Sequence, residues 1–164
     1  MELLSLDALY GARGTIAYAL VFVFAATPWI ELLLVIPAGI GIGLNPFVVA
    51  VTAFLGNLST VYLILLGHQA LQSVWDKFKI QDGISASSKK RTKTLQIWDK
   101  YGLPGLALTS PVAVGTHFAT VIAISLGSKK QEVGFWMSLS ILIWTLLVTA
   151  ASYYGIESIK WFLE

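Results

Sequence analysis

Long apolar blocks alternate with short polar ones along the chain. Three blocks, 14–67, 102–127 and 132–156, exceed the roughly 20 residues a helix needs to cross a bilayer's hydrocarbon. Residues 47–67 and 133–154 are uninterrupted and predict two spanning helices. The 31 residues from Gly14 to Leu44 are instead broken by Pro28 and Pro37. That is longer than one comfortable span and shorter than the roughly 40 needed for two spans and a turn. A re-entrant hairpin, down to Pro28 and back, fits the length. Residues 103–127 form a second interrupted block, broken at Ser110-Pro111 and softened by Gly115-Thr116-His117. Asn45-Pro46 reads as a sharp stop, with Pro46 the first residue of a new helix.

The polar stretches divide the remainder. Residues 1–13 mix leucines with acids and predict a short interfacial helix. Leu71, Val74, Trp75 and Phe78 form an i, i+3, i+4, i+7 stripe, so 68–82 predicts a helix lying on the membrane surface. Residues 83–94 read as a small-residue, basic loop, with helix resuming near Leu95. Residues 157–164 read as an amphipathic tail. The expected organisation is a single membrane domain: interfacial helix 1–13, repeat 14–67, connector 68–100, repeat 101–156, tail 157–164.

Charge decides the expected topology. Of eleven basic residues, seven lie between Lys77 and Lys100 and two more are Lys129 and Lys130. Positive loops stay cytoplasmic, so both clusters are expected inside. A full crossing by 103–127 would separate them, whereas a re-entrant segment keeps both inside. The fold expected is therefore all-α and integral to the cell membrane: an inverted repeat of re-entrant hairpin plus transmembrane helix, offset by about 84 residues, with interfacial amphipathic helices.

Composition removes whole classes of chemistry. Cysteine is absent, which excludes disulfides and thiolate sites. No glycine loop for phosphates, no serine–histidine–acid arrangement and no paired catalytic carboxylates are present, so no enzyme, cofactor or metal is expected. Lys89-Lys90-Arg91-x-Lys93 reads as a topology signal or a contact for anionic lipid rather than for nucleic acid.

Glu31 is the only carboxylate between Arg13 and Asp76. An acid at bilayer depth is a functional-site candidate by default. It either lines a proton or cation path or caps the half-helix that follows Pro28. Trp29 lies beside it. His117 is the other ionisable group in the interrupted blocks, either a proton relay with Glu31 or a hydrogen-bonded packing residue. Asn57, after Gly56, is a buried amide for the hairpin backbone or a substrate, and Thr116 a hydroxyl for a polar cavity.

Pro28-x-x-Glu31, Ile36-Pro37-x-Gly39, Gly56-Asn57, Tyr101-Gly102-x-x-Gly105, Pro111 with Gly115, and Leu126-Gly127 stand in an order and spacing that resembles the small multidrug export family. That family is itself similar to the DedA/VTT membrane proteins. The chain departs from the family where Leu32-Leu33-Leu34 replaces an arginine that usually follows the acid. The resemblance implies a small transporter, and Glu31 makes proton or cation coupling the expectation, with a small molecule or ion as substrate. Taken with the readings above, the expected site comprises Glu31, Pro28, Trp29, Pro37, Gly39, Asn57, Pro111, Gly115, Thr116 and His117. A lipid flippase or scramblase is the alternative, with membrane lipids as substrate, and a non-transporting scaffold the third. Two spans enclose little volume, so a homodimer is expected.

Overall fold

The computed structural model describes the backbone of residues 2–28, 32–79 and 85–163, and the side chains of 14–28, 32–67, 96–156 and 158. Among these residues every regular element is a helix. They run α1 (Glu2–Ala26), α2 (Leu32–Gly41), α3 (Pro46–Lys79), α4 (Ser85–Ala113), α5 (Thr116–Ser125) and α6 (Lys130–Leu163). Two compact units divide the chain. One comprises Met1–Asn57 with Ile143–Glu164, the other Leu58–Leu142, and the long helices α3 and α6 contribute to both.

In the first unit α1 packs on α2. Thr27 ends α1, its hydroxyl donating to the Val23 carbonyl at 2.8 Å and its amide to Phe24 at 3.0 Å. The chain returns through α2, whose buried face is Leu32, Val35, Ile36, Gly39 and Ile40. Gly39 lies against Val49 and Val21, and a Cβ there would meet both Val49 methyls at 3.1 Å. The α2–α3 link is fastened from two sides. The Asn45 amide donates to the Tyr18 hydroxyl of α1 at 3.0 Å, while its side-chain oxygen accepts from Phe47 and Val48. Asn45 is thus the N-cap of α3, and Pro46 is its first residue, as the sequence predicts for the proline. At Gly56 the helices α1 and α3 nearly touch, and a Cβ would collide with the Phe22 carbonyl.

In the second unit α4 packs on α5. Gly102 bends α4 with φ 63 and ψ −161, splitting the polar 85–101 part from an apolar half that begins at Leu103. Only glycine adopts that backbone cheaply. Leu106, Ala107, Val114, Ala119, Ala123, Met137 and Ile141 form the core. Gly134 lets α6 approach Leu65 and Tyr62 of α3.

The element pattern recurs. Eighty-four residues separate Leu32 from Thr116, Gly41 from Ser125, Pro46 from Lys130, and Lys79 from Leu163. The turns match too. Leu44 donates to Gly39 and Gly43 to Ile40 after α2, while Ser128 donates to Ala123 and Gly127 to Ile124 after α5. Both are glycine-ended Schellman caps, with φ 89 at Gly43 and φ 90 at Gly127.

Several expected boundaries move. Residues 1–13 are not a separate helix, because α1 runs unbroken from Glu2. Nor does Gly67-His68 end a helix, since α3 continues to Lys79. A glycine costs about 1 kcal/mol, which is not enough to stop a helix that no proline or cap interrupts. Of the expected 83–94 loop, residues from Ser85 onward are helical, as their alanine, lysine and arginine content favours. Pro37 lies inside α2 rather than breaking it. Pro111 likewise lies inside α4, and the second interruption falls three residues later.

Candidate functional site

The second interruption is built around a missing donor. Pro111 carries no N–H, so the Ala107 carbonyl, four residues back, loses its helical partner. Two serine hydroxyls replace it: Ser110 of α4 donates at 2.8 Å and Ser140 of α6 at 2.6 Å. All of this is buried. The proline is therefore tolerated, and the helix runs on to Ala113. Val114 and Gly115 both donate to the Ser110 carbonyl, at 3.1 and 2.7 Å. Gly115, at φ 99, then turns the chain and is also the N-cap of α5.

Helix α5 begins on two buried residues, Thr116 and His117. Gly115, as the N-cap, offers no side chain and so makes no side-chain cap bond of its own. The first intrahelical amide bond reaches back from Ala119 to Gly115 at 3.0 Å. The amides of the first turn have no helical acceptor. His117 is 3% exposed, and neither ring nitrogen has a hydrogen-bond partner. Thr120, one turn on, spends its hydroxyl on the Thr116 carbonyl at 2.8 Å.

In the first unit Asn57 is fully buried on α3, and both of its amide atoms lack partners. Thr145 and Thr149 of α6 also bury unpartnered hydroxyls in this unit. Thr52, Thr109 and Ser125, by contrast, donate to the carbonyl four residues back.

The expected site residues therefore fall into three groups. Pro111, Gly115, Thr116 and His117 are gathered at the α4–α5 turn. In the first unit, Gly39 and Asn57 are buried, Pro37 half-buried and Pro28 exposed. Trp29 and Glu31 lie outside the described residues. Ser140, Thr145 and Thr149 were missed, because a lone hydroxyl in an apolar run carries no periodic signal. Only Pro111 hinted at Ser140, through the carbonyl it was bound to leave without a donor.

Between α1 and α2 runs a groove of about 360 Å³ lined by apolar residues that include Leu20, Phe24, Leu34 and Ile42. Large apolar side chains also lie exposed among the described residues. Leu66, Phe47, Ile42 and Tyr154 are 78%, 76%, 73% and 69% exposed. Two helices, Pro46–Gly67 and Lys130–Ile156, are long and apolar enough to span a bilayer, with only 39% and 33% buried in the protein. Core helices of a soluble domain would be covered instead. Apolar outside and polar within define an α-helical membrane protein.

Within that class the chain belongs to the family described as "Putative small multi-drug export protein", whose model matches residues 31–147. No curated protein and no solved structure matches the chain.

Proposed function

We propose that the protein is a small polytopic transporter of the cell membrane, driven by protons or another cation. In this reading each repeat is a re-entrant hairpin followed by a spanning helix, and the two repeats run in opposite senses across the bilayer. The observation that carries it is the pair of 10-residue helices α2 and α5, each joined by a glycine turn to a 34-residue helix. Ten residues make about 15 Å, half the hydrocarbon thickness. Interrupted helices at that depth belong where protein or water covers the loose backbone. Asn57 in the first unit and His117 in the second are each buried without a partner and supply a polar group to their own unit.

Glu31, the acid beside the first interruption, binds the coupling ion. Pro28, Trp29, Pro37 and Gly39 shape that tip, and Pro111, Gly115 and Thr116 the other. Lys129, Lys130 and the 68–100 connector lie at the cytoplasmic face, as their positive charge favours. A second copy of the chain completes the enclosure. One observation favours a second reading, a flippase of the DedA/VTT type for lipids or lipid carriers: the groove on α1 and α2 has the apolar lining an acyl chain needs.

Flux into proteoliposomes, with and without a pH gradient, tests both. A coupled transporter loses gradient-dependent flux in Glu31→Gln while its fold survives. A flippase moves labelled lipid with no gradient. Neither flux, together with a folded and more stable Glu31→Leu, would leave a scaffold and overturn both readings.

A further inference from the structure

We propose that the two basic clusters of the chain form one docking surface for the anionic headgroups of membrane lipid. The surface lies where α3 leaves its apolar stretch, α4 enters its own and α6 begins. The proposal needs only the membrane class and stands whether or not the protein transports.

The structure brings together clusters that the sequence separates by a whole hairpin. Helix α5 packs on α4 across the two-residue turn Val114-Gly115, and its length matches the stretch from Leu103 to Ala113. The far ends of that hairpin, Gly102 and Gly127, therefore lie at the same end. Lys129 and Lys130 follow Gly127 and are exposed, and Lys100, also exposed, precedes Gly102. Helix α3 arrives there too. Leu65 lies against Gly134, one turn beyond Lys130, so Gly67 and Lys130 are within about 9 Å of one another along the helix axes. All of these residues belong to the Leu58–Leu142 unit.

Charge follows the same division. Residues 68–101 and 127–132 carry nine basic side chains and four acids, and the rest of the chain two and five. Even with all four acids paired, as Glu132 is with Lys129 at 3.5 Å, five positive charges stay uncompensated within these segments. A basic cluster of that size beside a spanning helix attracts anionic lipid. Gly102 sets the depth. Leu103 after it is buried, and no acid, lysine or arginine follows before Lys129. Tyr101 before it is 57% exposed, with the Lys100 ammonium 5.0 Å from its ring centre. An aromatic ring and a lysine at the foot of an apolar helix belong at the bilayer interface, among the headgroups. The kink at Gly102 turns the 85–101 helix, which carries Lys89, Lys90, Arg91 and Lys93, away from the axis of the apolar half. A nucleic acid or a soluble acidic partner needs no charge held at that depth.

Spin-labelled lipids test the surface on the full-length protein reconstituted in phosphatidylcholine. Electron spin resonance reads the fraction of label held at the protein, for phosphatidylglycerol and phosphatidylcholine labels with the same acyl chains. At low salt the phosphatidylglycerol label should be held about threefold more strongly or better, and the preference should fade near 1 M salt, where charges act over only about 3 Å. Lys129→Gln with Lys130→Gln should lower the preference. Lys89→Gln, Lys90→Gln, Arg91→Gln and Lys93→Gln together should lower it further, and all six should abolish it. Arginine at the same lysines should keep it. Inorganic phosphate, added at constant ionic strength, should leave it unchanged. Equal retention of both labels by the parent overturns the proposal and leaves the charges as a topology signal alone. Displacement of the lipid by inorganic phosphate overturns it in favour of a solute. No effect of the Lys129 and Lys130 changes also overturns it, because the surface would then not be single. Should the sixfold variant fail to insert, the parent's preference and its salt dependence still decide.

Discussion

The Ala107 carbonyl shows how much a single atom can demand of its surroundings. Pro111 removes its donor, and Ser110 and Ser140 supply two in exchange. Ser140→Ala leaves one donor in place and is expected to cost about 0.6 kcal/mol, typical of hydrogen bonds between membrane helices. Removing both serines orphans a buried carbonyl and should cost about 1–3 kcal/mol in thermal unfolding in detergent. Pro111→Ala restores the N–H, so it should recover most of that loss in the double variant and little in the parent. If it does not, the serines have another role. Gly56 makes a different demand. Any Cβ there runs into the Phe22 carbonyl of the neighbouring helix, and backbone cannot rotate away. Gly56→Ala should destabilise by about 1–3 kcal/mol, whereas Gly14→Ala, with open space around it inside α1, should stabilise by up to about 1 kcal/mol. Both can be read from the same melting curves.

At the level of elements, the repeat makes a paired prediction. Gly43 and Gly127 close equivalent turns at φ 89 and φ 90, with nothing near the position of a Cβ. Alanine at either position meets only the left-handed backbone penalty, about 1–2 kcal/mol, and the two losses should agree. A large difference would mean that one turn carries an extra contact. Asn45→Ala removes the cap of α3 and should cost about 1 kcal/mol. Capping chemistry of this kind was legible in advance: Asn45-Pro46 and Gly127 stand where a helix starts and a helix stops. The prolines misled. Pro37 and Pro111 read as breaks, yet both lie within helices, and at Pro111 the carbonyl left without its N–H finds donors in Ser110 and Ser140. The true second break, at Gly115, needed the φ of one glycine, which sequence does not print.

For the whole molecule, the basic clusters and the two spanning helices make a topology that chemistry can check. The chain has no cysteine, so single replacements report cleanly. Cysteine at Ser88 and at Ser128 should both react with an impermeant maleimide only from the cytoplasmic side. Labelling of the two from opposite sides would mean that the intervening segment crosses completely, and the re-entrant reading would fail. The apolar alternation, the offset near 84 residues and the membrane class were all readable from residue order. They depend on local periodicity and on the cost of exposing charge to oil, which every residue carries with it. Tertiary structure decided what order alone leaves open. It set which prolines could be tolerated, which hydroxyls were needed to tolerate them, and that the Asn57 amide and the His117 ring are buried without partners. Those outcomes depend on what approaches from another part of the chain, such as the hydroxyl of α6 reaching a carbonyl 33 residues earlier.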